Sequence, residues 1–175
     1  MKTSAFDATR SAAEFPPLEP LLRLKSILVP VDFSECSRKA LAYAVAFARQ
    51  FGADITLLHV VEPYVPVPEM STVDWDLIQV RVREAGETGL ARLKESISGH
   101  IPVQTALRMG RPDREIVEHA KEFGADLIII STHGRTGLAH VFMGSTAERV
   151  VRHAPCPTLI VREHEHDFVR SPAAA

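Results

Sequence analysis

Leu127–Thr146 reads LIIISTHGRTGLAHVFMGST. Leu127-Ile128-Ile129-Ile130 is an unbroken apolar run of strand length. A run without alternation is the mark of a strand covered on both faces. It breaks at Ser131-Thr132-His133-Gly134, passes through a short polar loop and reaches Gly144-Ser145-Thr146, where a helical pattern begins. Strand, small-residue loop, Gly-Ser and helix together form the layout of a phosphate-holding turn. Glycine lets the backbone approach an anion, and a helix N-terminus directs free N–H groups at it.

Working outward, the same alternation of strand and helix recurs. Lys25–Asp32 (KSILVPVD) is predicted as the first strand, again apolar on both faces. Asp32-Phe33-Ser34 opens a helix with Ser34 as N-cap, an apolar stripe through Leu41, Ala44, Val45, Phe47 and Ala48, and Gly52 as stop. Asp54–Val61 is the second strand, and a proline-bearing loop leads to a long helix over about 73–98, weakened in its middle by Gly86 and Gly89. Pro102–Met109 alternates, as a strand near a sheet edge does. Gly110-Arg111-Pro112 turns into a helix with Ile116, Ala120 and Phe123 on one face, ended by Gly124. After the opening stretch, a helix from Ser145 to about Ala154 turns Ala147, Val150, Val151 and Ala154 inward, and Thr158–Val161 is the last strand. Right-handed crossovers make this an α/β fold, a doubly wound five-stranded parallel sheet with helices on both faces. Ligands of such sheets sit beyond the strand C-termini where the strand order reverses. Neighbouring first and fourth strands bring Asp32 and the glycine loop to one crevice.

The chain has 175 residues, 46% hydrophobic and 24% charged, which predicts one core-bearing domain. The expected organisation is a mobile proline-bearing arm over 1–24, a folded domain over 25–162 and a flexible tail over 163–175. A net charge of -2 gives no basic field, so neither nucleic acid nor an anionic membrane is expected as main partner. The N-terminal stretch has no apolar signal region, and the cysteines Cys36 and Cys156 have no zinc or CxxC spacing, which together suggest a reduced, cytoplasmic setting.

No Gly-Lys-Ser/Thr, GxGxxG or GxSxG motif occurs, and no nucleophile–base pair is evident. What remains is Ser131-x2-Gly134-x9-Gly144-Ser145, read with Ile27–Ser34 (ILVPVDFS), Leu57–Val60 (LLHV) and Ala147–Pro157 (AERVVRHAPCP). In this combination, from about Lys25 to Arg162, the chain resembles the universal stress protein family. The resemblance implies a flavodoxin-like fold with strand order 3-2-1-4-5 and a homodimer joined through Thr158–Val161. One branch of the family binds ATP through Gly-x2-Gly-x9-Gly-Ser/Thr; another lacks the motif and does not bind it. Here Ser131 stands at the first glycine position. A serine with negative φ fits at little cost, whereas a need for positive φ or for contact with ribose would weaken binding.

Carried over by position, Asp32 holds polar groups of adenine or ribose, although an Asp at a strand end can equally cap the next helix. Pro30 and Val31 frame the base, and Val60 packs on it or is simply core. Ile130 and Ser131 end the strand beside it. Gly110 either lets its loop approach the ligand or only turns the chain. Gly134, Gly144, Ser145 and Thr146 cradle phosphate. Ser145-x-x-Glu148 is also a capping box, which would use the same N–H groups without any ligand. Arg135 can reach a terminal phosphate or stay solvated. His133 and His59 read as packing or hydrogen-bonded residues rather than catalytic ones. The ligand so implied is ATP, or ADP or AMP, with Mg²⁺ as companion of a triphosphate. The expected function is nucleotide-dependent sensing or regulation in a stress response, not dedicated catalysis. The alternatives are a nucleotide-independent scaffold and a weak ATPase.

Overall fold

A computed structural model of the chain describes residues 22–63, 74–132, 143–164, 166, 168 and 169. The elements follow as β1 (Ser26–Pro30), α1 (Glu35–Phe51), β2 (Asp54–Val61), α2 (Trp75–Ser96), β3 (Val103–Met109), α3 (Pro112–Glu122), β4 (Leu127–Ser131), α4 (Ser145–His153) and β5 (Thr158–Val161). The strands form one parallel sheet in the order β3-β2-β1-β4-β5, as the alternation and the resemblance predict.

The two uninterrupted apolar strands, β1 and β4, lie next to each other in the middle, with Ile27 opposite Leu127 and Leu28 opposite Ile128. Successive residues of a strand face opposite sides, so each strand feeds two cores. Ile27, Val29 and Ile129 point into the layer under α1 and α2, with Leu41, Ala44 and Leu90. Leu28, Ile128 and Ile130 point into the other layer, with Ile116, Ala120, Ala147 and Val150 of α3 and α4. The alternating β3 is an edge strand, as its pattern predicts.

Helix ends follow the local chemistry. Ser34 caps α1, its side chain accepting from the Ser37 N–H at 3.2 Å, and Gly52 closes it in the left-handed conformation (φ 68°). Pro112 opens α3, where its missing N–H costs nothing.

Four expectations need correction. Leu24, assigned to the arm, is buried in the α1 layer, because its apolar side chain reaches the core two residues before the sheet begins. Beyond Arg162, Val169 packs against the same layer and the Phe168 ring meets Tyr43 edge-on at 5.0 Å. Val151 is 45% exposed: one residue is 100° of helix, so burying Val150 turns Val151 outward. Phe123 is also exposed, since α3 ends at Glu122; its ring stacks from outside on His119, which holds the inward position.

Candidate functional site

β1 ends at Pro30, but the Val31 N–H still donates to the Leu58 carbonyl at 2.8 Å, so the backbone keeps its course to Asp32. Asp32 does not cap α1. Its Oδ1 accepts from the Ser34 N–H (3.1 Å) and the Ser34 hydroxyl (2.6 Å), while Ser34 itself serves the helix. The carboxylate is thereby held at the C-terminal end of the sheet, at the point of strand reversal.

On the neighbouring strand, Ser131 is the last residue of β4, and the Thr132 N–H donates to the Val161 carbonyl at 2.9 Å. The Thr132 carbonyl then receives the Gly144 N–H at 2.8 Å. The chain thus leaves at Thr132 and returns against it at Gly144. Gly134, His133 and Arg135 belong to the stretch between and lie outside the described residues. Among the described residues only Phe33 combines a side chain with positive φ, so Ser131 sits in backbone that any residue adopts. Gly144 also has ordinary dihedrals (φ -68°, ψ 149°), and it is space that requires glycine there. A Cβ would stand 2.9 Å from the Thr132 carbonyl oxygen.

The capping box is not formed. Gly144 occupies the N-cap position of α4, which displaces Ser145 into the first turn, and among the described residues no side chain caps the helix. Glu148 pairs instead with Arg152, at 2.9 Å. The first N–H groups of a helix have no partner within it. At α4 they therefore remain available to an anion, beside a close backbone approach that only glycine permits.

These elements border one cavity of about 600 Å³, within the range of small-molecule sites. Pro30, Val31, Asp32, Val60, Ile130 and Ser131 line it, and so do Gly144, Ser145 and Thr146. Gly110 does not. It turns the chain after β3, with φ 152° and its N–H on the Val61 carbonyl at 3.0 Å. A Cβ there would meet the Glu115 carboxylate at 2.5 Å, so the turn reading of Gly110 is the one its geometry matches.

The lining has two characters. One part is apolar: Val60 and Met109 from strand ends, Ile116 from α3, Ile78 and Val82 from α2. Met109 and Val82 are 40% and 43% exposed, so apolar surface is left open to this space. The other part is polar: Asp32, Ser131, Thr132 and the start of α4. An apolar slot adjoining a hydrogen-bonding anion cradle suits a flat heterocycle carrying a negatively charged chain.

Sequence reasoning did not include Thr132, Met109, Pro112, Ile116 or the α2 residues in this site. For the β3–α3 residues the signal was present, since Gly110-Arg111-Pro112 marks a strand C-terminus at the same end of the sheet. For α2 it lay in Ile78 and Val82, apolar residues in a helical half that buries nothing before Gly86.

The groups with displaced titration are not among the lining residues. Burial pushes the His119 imidazole down, with the Arg108 charge adding to it and Glu122 opposing it. The Arg108 hydrogen bond holds Glu122 below the usual carboxylate range. Burial, together with Asp126, raises the Cys156 thiol, against a hydrogen bond from the Ile128 backbone.

Among the described residues no cluster of His, Cys, Asp and Glu could hold a metal ion, and no helix is long and apolar enough to cross a membrane.

Residues 23–162 match the Universal stress protein family. The chain is 36% identical over 142 residues to universal stress protein MJ0531 of Methanocaldococcus jannaschii, covering 79% of this chain and 82% of that one. It is 33% identical over 144 residues to universal stress protein YxiE of Bacillus subtilis, covering 78% and 97%. Among solved structures, MJ0577 superposes with a TM-score of 0.71 at 28% identity, over 83% of this chain and 100% of that one. The sheet order, the cavity at its reversal point and these likenesses agree: this chain belongs to the universal stress protein family.

Proposed function

We propose that the cavity binds an adenine nucleotide, ATP or its relatives ADP and AMP, and that occupancy regulates the protein's partners rather than feeding a dedicated reaction. The observation that carries this reading is the uncapped start of α4, closed against Thr132 through Gly144 and placed in one cavity with Asp32. The base lies in the apolar part between Val60, Ile116 and α2. Asp32 accepts from ribose hydroxyls or base N–H groups, and the α4 N–H groups with Ser145 and Thr146 take the phosphates. Mg²⁺ accompanies a triphosphate, bound mainly through phosphate oxygens and water. Serine at position 131 is compatible with binding, since its φ is not positive.

Two universal stress proteins of this fold were solved with such ligands, one with cAMP (TM-score 0.59) and one from Archaeoglobus fulgidus with dAMP (TM-score 0.53), each 21% identical to this chain. We place the protein in the cytoplasm as a homodimer joined through β5, whose outer edge has no neighbour among the described strands.

The test is thermal unfolding of nucleotide-free protein with millimolar Mg·ATP. Ligand at about 100 times its Kd adds about 2.7 kcal/mol. For a domain of this size that raises Tm by roughly 5–10 °C. No rise with ATP, ADP or AMP overturns the reading.

A further inference from the structure

One side chain of the cavity grips both neighbours of Asp32. His59, half-buried near the end of β2, places its Nδ1 2.8 Å from the Val31 carbonyl. A carbonyl only accepts, so Nδ1 carries the proton and donates. The other neighbour, Phe33, has φ 67°, a backbone conformation that bulky side chains rarely adopt. Its ring lies against the His59 ring, centroids 4.5 Å apart. Asp32 thus stands between a carbonyl that His59 holds by hydrogen bond and a ring that His59 holds by contact.

α2 closes this arrangement from outside. At Gly89 a Cβ would stand 2.6 Å from the Phe33 ring, and at Gly86 one would stand 2.7 Å from Leu107 and 3.0 Å from His59. The two glycines are three residues apart, on one helix face. They are the reason α2 can rest on both rings. Glycines that look like weak points of a helix in the sequence are here its points of closest approach.

We propose that His59 is the positioning residue of the nucleotide site: its Nδ1–H on Val31 and its ring on Phe33 set the place of the Asp32 carboxylate, and α2 locks the pair through Gly86 and Gly89. This rests on the adenine-nucleotide reading and says which part of the ligand His59 governs, namely the end that meets Asp32.

Two variants separate the two grips. His59→Phe keeps a ring beside Phe33 and removes the donor. His59→Asn keeps an N–H donor near the place of Nδ1. Isothermal titration with Mg·ATP is expected to show binding about tenfold weaker in His59→Phe, the scale of one lost hydrogen bond, and largely restored in His59→Asn. In an Asp32→Ala background, His59→Phe adds no further loss, because its effect passes through Asp32. Hydrogen exchange on nucleotide-free protein supplies a ligand-independent readout. The Ser34 amide, which donates to Asp32, exchanges several-fold faster in His59→Phe and near the wild-type rate in His59→Asn, while the Gly52 amide, bonded to the Ala48 carbonyl, is unchanged. Additive losses in the double variant, equal damage from both replacements, or unchanged Ser34 exchange each overturn the proposal. If the wild-type protein binds no nucleotide, the adenine-nucleotide reading fails, and Ser34 exchange still decides the role of His59.

Discussion

At the scale of single residues, the candidate site depends on where a side chain is missing as much as on where one is present. Gly144 has dihedrals open to any residue, yet its N–H meets the Thr132 carbonyl at a distance that leaves no room for a methyl group. Gly144→Ala forces the two backbones apart. The expected result is a loss of about 1–2 kcal/mol in urea unfolding and disappearance of the Tm rise with Mg·ATP. A variant that keeps both would show that the closure is not needed. Ser145 and Asp32 teach a related lesson. Each has two readings in the sequence, ligand or cap, because short polar side chains serve both purposes. The structure assigns the α1 cap to Ser34 and the α4 N-cap position to Gly144, so both residues stand at the cavity without a capping duty. No rule of local sequence chooses between a Ser145 cap and a Gly144 cap; the approach of Gly144 to Thr132 does, and that contact joins residues twelve apart in the chain.

At the scale of elements, α3 carries a feature that the candidate site does not explain. His119 is 1% exposed, and neither ring nitrogen has a hydrogen-bond partner among the described residues. It stacks on Phe123, with Arg108 of β3 and Glu122 of α3 as charged neighbours. Its folded pKa lies below the ordinary value of 6.5. The unfolded chain therefore takes up a proton near pH 6.5 that the folded chain refuses. Stability attributable to this group is complete above pH 6.5 and falls as pH drops toward the folded pKa, by at most about 1.4 kcal/mol per pH unit for one proton. His119→Leu removes the titration and an unpartnered buried polar ring. Urea unfolding at pH 7 should find it as stable as wild type or more stable by about 1 kcal/mol. Between pH 7 and pH 5 it should also lose less stability than wild type. An identical pH slope in both proteins would refute this account. The helical period marks an inward face but not a terminus, so the sequence does not show that α3 stops before Phe123 and that His119 holds the inward position.

At the scale of the whole molecule, sheet order decides where the cavity lies. β1 and β4 are adjacent because each is apolar on both faces and needs a helix layer on either side, which only the middle of the sheet supplies. That adjacency brings Asp32 to Ser131 and α4 across about a hundred residues of chain. β5, at the opposite end from β3, ends the sheet with Thr158, Leu159 and Ile160 only partly covered. If the homodimer forms there, sedimentation equilibrium at micromolar concentration should return twice the 19.3 kDa chain mass. A single-chain mass at that concentration would refute assembly through β5.

The sequence by itself determined the order and kind of the elements, the central place of β1 and β4, and most of the candidate site: Pro30, Val31, Asp32, Val60, Ile130, Ser131, Gly144, Ser145 and Thr146 all meet at one cavity. The reason is that hydrophobic periodicity, proline and glycine punctuation and the position of a residue at a strand end are local properties, written in neighbouring letters, while the site roles of Pro30, Val31, Asp32 and Val60 are what the family resemblance implies. Only the tertiary structure decided that Gly110 turns the chain instead of lining the cavity, that Ser145 caps nothing, that Gly86 and Gly89 are contact points for Leu107 and Phe33, and that His59 holds Val31. Each of these depends on a distance between atoms far apart along the chain or on different elements. Such distances are set by how the layers close on one another.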